Sequence, residues 1–264
     1  MDYSLLCTEL ITICKNAGLF IREQLNLVTE NDIQQKGSHD FVTFVDKTAE
    51  QMLVRDLQKL FPEAGFITEE KTSTVHGERY NWIIDPLDGT TNFLHRLPCF
   101  CVSVALADGN VPVVGVVYEI NLDECFSATK EGGAFVNGKP IKVSTQNNLD
   151  RSLIGTGFPY TDFSLLPQYL QLFEYFIKHS SGVRRLGSAA ADLAYVACGR
   201  FEFFFEYGLH PWDAAAGILL VTEAGGVVSD FSGGNNHLFG RELLASNGKV
   251  TDQCLQLVKQ YFNK

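Results

Sequence analysis

The stretch from Trp82 to Phe93 reads Trp-Ile-Ile-Asp-Pro-Leu-Asp-Gly-Thr-Thr-Asn-Phe, and it limits what this chain can become more than any other. Trp82, Ile83 and Ile84 form a short apolar run that reads as a buried strand. Asp85 is expected to end it. Pro86 removes a backbone donor, and Gly89 admits backbone angles that other residues resist. Two carboxylates, Asp85 and Asp88, therefore fall in one turn, followed at once by the hydroxyls of Thr90 and Thr91 and the amide of Asn92. A strand that ends in acids and then presents Gly-Thr amides can hold a hard cation and a phosphate side by side. The same residue types also make an ordinary β-turn. The rest of the chain has to decide between the two.

Composition removes several classes of partner. The 264 residues suit one large domain or two intimately packed parts, and 45% hydrophobic content is ample for a core. A net charge of −10 argues against non-specific nucleic-acid binding and against an anionic membrane surface. No uninterrupted run approaches the roughly eighteen apolar residues of a membrane span. Asp2 and Glu9, with no basic start, argue against a secretory signal. The 7 cysteines are odd in number, and the 6 histidines are scattered without zinc spacing. Cys99 and Cys101 stand two apart, so in a strand they share a face and do not form a ligand pair. Buried free thiols in a reducing cytosol are the expectation, and with them a cytoplasmic location.

Taken in order, residues 3–28 carry apolar positions at helical spacing, and the polar segment 31–40 reads as a loop. Lys36 within it reads by itself as a solvated charge. Phe41 to Val45 is β-like and ends at Asp46, which sits where a helix N-cap belongs, ahead of a helix carrying Ala49, Leu53, Leu57 and Leu60. Gly65 to Thr68 is a short strand ending in Glu69 and Glu70. Apolar stretches over 100–107, 111–118, 124–128 and 133–136 follow, then the hairpin signal Asn137-Gly138 and a strand over 139–143. This is an antiparallel meander, so the sheet is not purely parallel. A polar stretch at 147–151 divides the chain into parts 1–148 and 149–264.

The second part alternates. Strands are expected at 152–157, 201–207, 227–231 and 243–246, with helices at 167–178, from Gly187-Ser188 through Val196, from Pro211 to Ala224, and at the C-terminal end. Asp213 opens one of these helices among small residues. Glu69, Asp85, Asp88 and Asp213 thus each end a strand or begin a helix, where side chains can converge on one cleft. Carboxylates ~4 Å apart repel by about 4 kcal/mol per pair at an effective dielectric near 20. Such a set raises its own pKa values or recruits a hard divalent cation, typically Mg²⁺.

The segment 82–93 resembles the signature of the inositol monophosphatase family, and Trp212-Asp213-Ala214-Ala215-Ala216-Gly217 resembles that family's second signature. Lys36 to Thr43 with Asp46, Phe66 to Glu70, and Gly187 to Ala190 match further family segments in order, so the resemblance runs nearly end to end. Thr68 is a departure, since many members carry Gly before the acid pair, but it removes no ligand. The resemblance implies an α/β (α+β) fold of layered αβαβα sandwich type with mixed and antiparallel sheets. It also implies Mg²⁺-dependent hydrolysis of phosphate monoesters, with two to three ions per site. Mn²⁺ would substitute, Li⁺ would inhibit, and a homodimer is expected, with neither nucleic acid nor membrane as partner.

Carried over residue by residue, Glu69 would bind the catalytic metal, Asp85 would bridge to a second, and the Leu87 carbonyl would complete the first site. Asp88 and Asp213 would hold the second metal. Thr90 and Asp46 would orient and help activate the attacking water. The amides of Gly89 and Thr90 would bind the phosphate. Glu206 would take substrate hydroxyls, and Gly187, Ser188 and Ala189 would line the alcohol pocket; Glu69, Asp88 and Asp213 also face the substrate. Inositol monophosphate is the first expectation. Histidinol phosphate, fructose 1,6-bisphosphate and a 3′-phosphoadenosine nucleotide are the alternatives within the same chemistry, and a non-catalytic interaction protein is the alternative outside it.

Overall fold

The computed structural model describes residues 2–29, 34–37, 40–160 and 162–263, with the backbone alone for 34–37 and 40–42. Ser38 and His39 of the first family segment, and Asn31 to Ile33 of the expected loop, lie outside the described residues.

Helix α1 (Tyr3–Gln24) starts where the Asp2 carboxylate accepts the amides of Ser4 and Leu5 at 3.0 and 3.2 Å. It stops at Gln24 and does not run on to 28: the amides of Leu25 and Leu27 take the carbonyls three residues back, on Arg22 and Gln24, in place of the helical ones four back. By length and composition alone α1 could cross a membrane. Its buried residues, Cys7, Leu10, Cys14, Ala17 and Ile21, instead recur every three or four positions against a sheet, as a core helix requires.

The expected loop before the second helix contains a strand. Gln34–Gly37 (β1) pairs antiparallel with Asp40–Val42 (β2), because backbone pairing is indifferent to polar side chains. Helix α2 (Phe44–Leu60) is capped by Thr43, not Asp46. Asp46 lies three residues further on, its carboxylate accepting the Thr43 amide at 2.8 Å in a reciprocal capping box.

A seven-stranded sheet follows from β3 (Gly65–Thr68), β4 (Tyr80–Asp88), β5 (Cys101–Asp108), β6 (Val111–Glu119), β7 (Glu124–Thr129), β8 (Gly133–Val136) and β9 (Lys139–Pro140), in that spatial order. β3 and β4 are parallel and every later pair is antiparallel. β8 and β9 join through Asn137 and Gly138, both at positive φ as a two-residue hairpin requires. β9 is shorter than expected, ending at Pro140. β4 runs past Asp85, the expected last residue, to Asp88, because Pro86 sits in an irregularity of the pairing between Asp85 and Asp88 where no ladder donor is needed. β5 begins at Cys101, so Cys99 lies just outside it, at a φ of 76°. All seven cysteines are free thiols.

After residue 148 the chain builds a five-stranded sheet, ordered β11 (Gly182–Arg184), β10 (Leu153–Thr156), β12 (Phe203–Tyr207), β14 (Glu242–Ser246), β13 (Val227–Ser229). β10 is parallel to β11 and β12, and the remaining pairs are antiparallel. Its helices are α4 (Leu166–Lys178), α5 (Ala189–Ala197), α6 (Pro211–Glu223) and α7 (Thr251–Phe262); the short α3 (Thr90–Leu94) follows β4.

Strand alternation sets the layers. Trp82 and Ile84 turn toward α1 and α2, while Ile83 between them turns toward α5 and α6. In β12, Phe204 faces α5 and α6, and Phe203 and Phe205 face α4 and α7. Helices α5 and α6 are therefore packed between the two sheets, giving the αβαβα order. Their small residues allow close approach: a Cβ on Gly115 would come 3.1 Å from the Ala216 backbone.

Candidate active site

One cavity of about 520 Å³ opens where the C-terminal ends of β3, β4 and β12 meet the starts of α3, α5 and α6. Its wall includes Glu69, Asp85, Leu87, Asp88, Gly89, Thr90, Gly187, Ser188, Ala189, Glu206 and Asp213. Asp46 reaches the same wall from beneath through Thr90.

The irregular end of β4 carries most of the chemistry. Asp85 is fully buried and accepts the Leu87 amide at 3.0 Å, which holds the turn closed. Burial pushes its carboxyl well above the usual range. Glu69, Asp88 and Asp213 push the same way, and Glu69 is close enough to share a hydrogen bond with it. Gly89 follows at a φ of 96°, and a Cβ there would come 2.9 Å from the Cys99 carbonyl. Only glycine fits that position. The Thr90 hydroxyl lies 3.0 Å from the Leu87 carbonyl and 3.1 Å from Asp46 Oδ1, and its single proton serves one of them at a time. Asp46 Oδ2 is held by the Thr43 hydroxyl at 2.7 Å. Burial pushes the Asp46 carboxyl up, against the donors from Thr43 and Thr90.

Asp88 joins the two parts of the chain. Its Oδ2 accepts the Ser188 hydroxyl at 2.8 Å and the Ala190 amide at 2.7 Å, both at the start of α5. Burial raises it to about 6, with these donors and Arg185 pulling the other way. Asp213 sits in the first turn of α6, where its carboxylate accepts the His210 amide at 2.7 Å. Burial and then Asp88 push it well up. The ring of His210 lies flat on Trp212, 4.6 Å between centroids. Glu206, in β12, is pushed to about 8 by burial, against the pull of Arg185. Its carboxylate lies so near Gly157 that a Cβ there would fall 2.0 Å from Oε1.

Sequence reasoning missed several residues that shape this site. Glu50 is fully buried in α2, where its Oε2 accepts the Glu70 amide at 2.8 Å and its Oε1 accepts the amide and hydroxyl of Thr72. The signal was present: Glu50 shares a helix stripe with Leu53 and Leu57, where an acid is out of place. Asn92, named in the motif but given no role there, ties α3 to the second part of the chain, donating at 2.7 Å to the carbonyls of Cys99 and Leu186. Phe158, Tyr160, Arg185 and Asp192 also line the cavity, and nothing local in the sequence announces them.

Among the described residues no three His, Cys, Asp or Glu side chains stand close enough to grip a metal ion as they are placed. The donor chemistry nevertheless fits one. Glu69, Asp88 and Asp213 all push the Asp85 carboxyl up. A set of carboxylate oxygens that repel one another is what a hard divalent cation relieves. Glu69, Asp85, Asp88 and Asp213, with the Leu87 carbonyl, are the residues that could hold it.

Comparison with known proteins agrees with the geometry. The chain is 43% identical over 249 residues to the Nus factor SuhB of Salmonella typhimurium, covering 94% of this chain and 93% of that protein. It is 40% identical over 262 residues to the inositol-1-monophosphatase of Mesorhizobium japonicum, covering 98% of each. The crystal structure of the extragenic suppressor protein suhB from Bartonella henselae superposes with a TM-score of 0.91 at 38% identity, over 96% of this chain and 98% of that one. The expected layered α/β fold is thereby shown. A family model matches residues 2–262, and the chain belongs to the inositol monophosphatase family.

Proposed function

We propose that this protein hydrolyses a small polyol phosphate monoester, inositol monophosphate first, to the free alcohol and phosphate in a Mg²⁺-dependent reaction. The supporting observation is that Glu69, Asp85, Asp88 and Asp213 line one cavity beside the hydrogen-bonded pair Thr90–Asp46. Glu69, Asp85, Asp88, Asp213 and the Leu87 carbonyl would hold two to three Mg²⁺ ions, whose chemistry, when bound, would be to acidify a water and offset charge on the leaving alkoxide. Thr90 orients the attacking water, taking its proton at Oγ1 while its own passes to Asp46 Oδ1. The amides of Gly89 and Thr90 take phosphate oxygens. The five-residue α3 adds little dipole, so these amides act as local donors. Glu206 accepts substrate hydroxyls, and Gly187, Ser188 and Ala189 wall the alcohol. The cytoplasmic location and the homodimer belong to this same reading.

The test is phosphate release from inositol 1-phosphate with and without Mg²⁺, repeated with Li⁺. Release that depends on Mg²⁺ and falls with Li⁺ is expected; no release at any Mg²⁺ concentration overturns the proposal. A panel adding histidinol phosphate, fructose 1,6-bisphosphate and a 3′-phosphoadenosine nucleotide, compared by kcat/KM, ranks the substrates.

A second reading rests on the relatives named Nus factor SuhB. A role beside turnover predicts that cells lacking this protein are rescued by its Asp88→Asn form. Rescue only by the parent ties the role to catalysis.

A further inference from the structure

The irregular end of β4 rejoins β5 at a single pair: after the break that follows Asp85, the ladder resumes with Asp88 opposite Cys101. Cys101 is fully buried, and a buried thiol keeps its proton. Its Sγ lies 3.2 Å from the Ser188 hydroxyl, and that hydroxyl lies 2.8 Å from Asp88 Oδ2. The start of β5, the N-cap of α5 and the end of β4 thus meet at one oxygen.

The direction of this chain follows from counting protons. Ser188 Oγ has one proton and two lone pairs. Asp88 as a carboxylate only accepts, so the Ser188 proton goes to it. The Ala191 amide, 3.3 Å away, takes one lone pair, and the other is left for the Cys101 S–H. Ser188 is 1% exposed and spends its whole hydrogen-bonding capacity inside the protein. The chain therefore runs from thiol to hydroxyl to carboxylate. Each bond polarises the next, so a donor onto Ser188 strengthens the bond that Ser188 gives to Asp88. Asp88 Oδ2 also takes the Ala190 amide at 2.7 Å. Two donors from the start of α5 on one oxygen set the direction in which the carboxylate points.

Packing by itself does not call for sulfur here. Cys101 belongs to the apolar layer with Ile83, Ala105 and Val117, where alanine already serves. A methyl group would fill most of the same space and leave a buried lone pair of Ser188 without a donor.

We propose that Cys101 is a positioning residue for the acid set: its thiol donates to Ser188, directs the Ser188 proton onto Asp88, and so holds that carboxylate in place for a cation. This rests on the phosphatase reading and deepens it, by naming what aims Asp88.

Two measurements test it, and neither reads turnover. The first is the infrared S–H stretch. The band that Cys101→Ala removes is expected below the frequency of a free thiol, because donating a hydrogen bond weakens the S–H bond. Ser188→Ala is expected to move that same band up to the free-thiol frequency. A band already at that frequency in the parent, or one that Ser188→Ala leaves in place, overturns the proposal. Either variant decides the point if the other fails to fold.

The second is calorimetric binding of Mg²⁺. Cys101→Ala is expected to raise Kd by about twofold or more, as the loss of a weak donor does. In the Ser188→Ala background the same substitution is expected to change nothing further, since the thiol then has no hydroxyl to act through. A rise of less than about twofold in the parent background, or an equal rise in both, overturns the proposal. If the parent binds no Mg²⁺, the phosphatase reading falls by itself, and the infrared bands still decide whether the thiol directs Ser188.

Discussion

Glu50 and Glu70 stand 20 positions apart, and the buried carboxylate of the first accepts the backbone amide of the second at 2.8 Å. Helix α2 thereby fixes the short segment that carries Glu69 into the cavity. Glu50→Ala should cost about 2–3 kcal/mol, because three donors lose one buried carboxylate. A supporting residue of this kind should also raise the Mg²⁺ concentration for half-maximal turnover about tenfold. Denaturant midpoints and a Mg²⁺ titration of activity read the two effects. No change in either would make the tether incidental.

Asp88→Asn should abolish turnover in a protein that still folds. The asparagine carbonyl can go on accepting from Ser188 and Ala190, so α5 stays anchored while the charge is lost. Phosphate release and circular dichroism check this. Activity within about tenfold of the parent would refute its place among the ligands.

Gly157→Ala should move Glu206 without unfolding the protein. The new Cβ would meet the carboxylate at 2.0–2.2 Å, and a carboxylate at the end of a flexible side chain yields before backbone does. KM for inositol 1-phosphate should rise about tenfold with a smaller change in kcat, since the lost contact binds ground and transition states alike. An unaltered KM would show that Glu206 does not touch the alcohol.

Mg²⁺ should raise the melting temperature, because only the folded chain brings the four acids together. At a hundredfold excess over Kd the linkage is about 2.7 kcal/mol, or roughly 5 °C for a chain of this size. A melting curve indifferent to millimolar Mg²⁺ would count against Mg²⁺ binding by these acids in the folded chain.

Asp230 offers a test of pH dependence away from the cavity. Burial acts to raise its carboxyl, but the backbone amides of Gly234, Asn236 and Ser232 outweigh burial and hold it below its ordinary value of 3.8. A lowered folded pKa contributes stability above the unfolded value, and that contribution is lost as pH falls through the folded one. Asp230→Ala should therefore melt about 2–4 °C below the parent at pH 7, and the gap should narrow as pH drops below 3.8. A gap that stays constant with pH would mean the loop depends on the side chain's shape and not on its charge.

Much of the site was legible because its acids sit at element ends, where a sequence marks its breaks. Asp85 and Asp88 flank a proline, and Asp213 follows Pro211-Trp212 at a helix start. Asp46 was placed near the right turn but in the wrong position, because Thr43 competes for the same cap and a side chain's choice of cap is a matter of φ and ψ. Glu50 and Asp192 were not assigned for another reason. Each is an acid on the buried face of a helix; Glu50 stands out in its apolar stripe, but the role of either depends on partners, Glu70 and Thr72 or Arg185 and Glu206, that only tertiary packing brings near. The polar strand β1 was missed because hydrophobic periodicity does not mark a strand without apolar alternation.

The placement of α5 and α6 governs the order in which the molecule can be built. Every strand of the seven-stranded sheet precedes residue 148, yet the face carrying Ile83, Ala105, Val117 and Phe126 is covered by helices encoded after residue 188. A ribosome that has delivered only the first part has made a sheet with one bare apolar side and an Asp88 whose anchors do not yet exist. The second part closes that sheet and completes the acid set in the same event. On the proposed function, the acid set is whole only once the last third of the chain has been made, and a truncated product would expose the apolar face of the sheet.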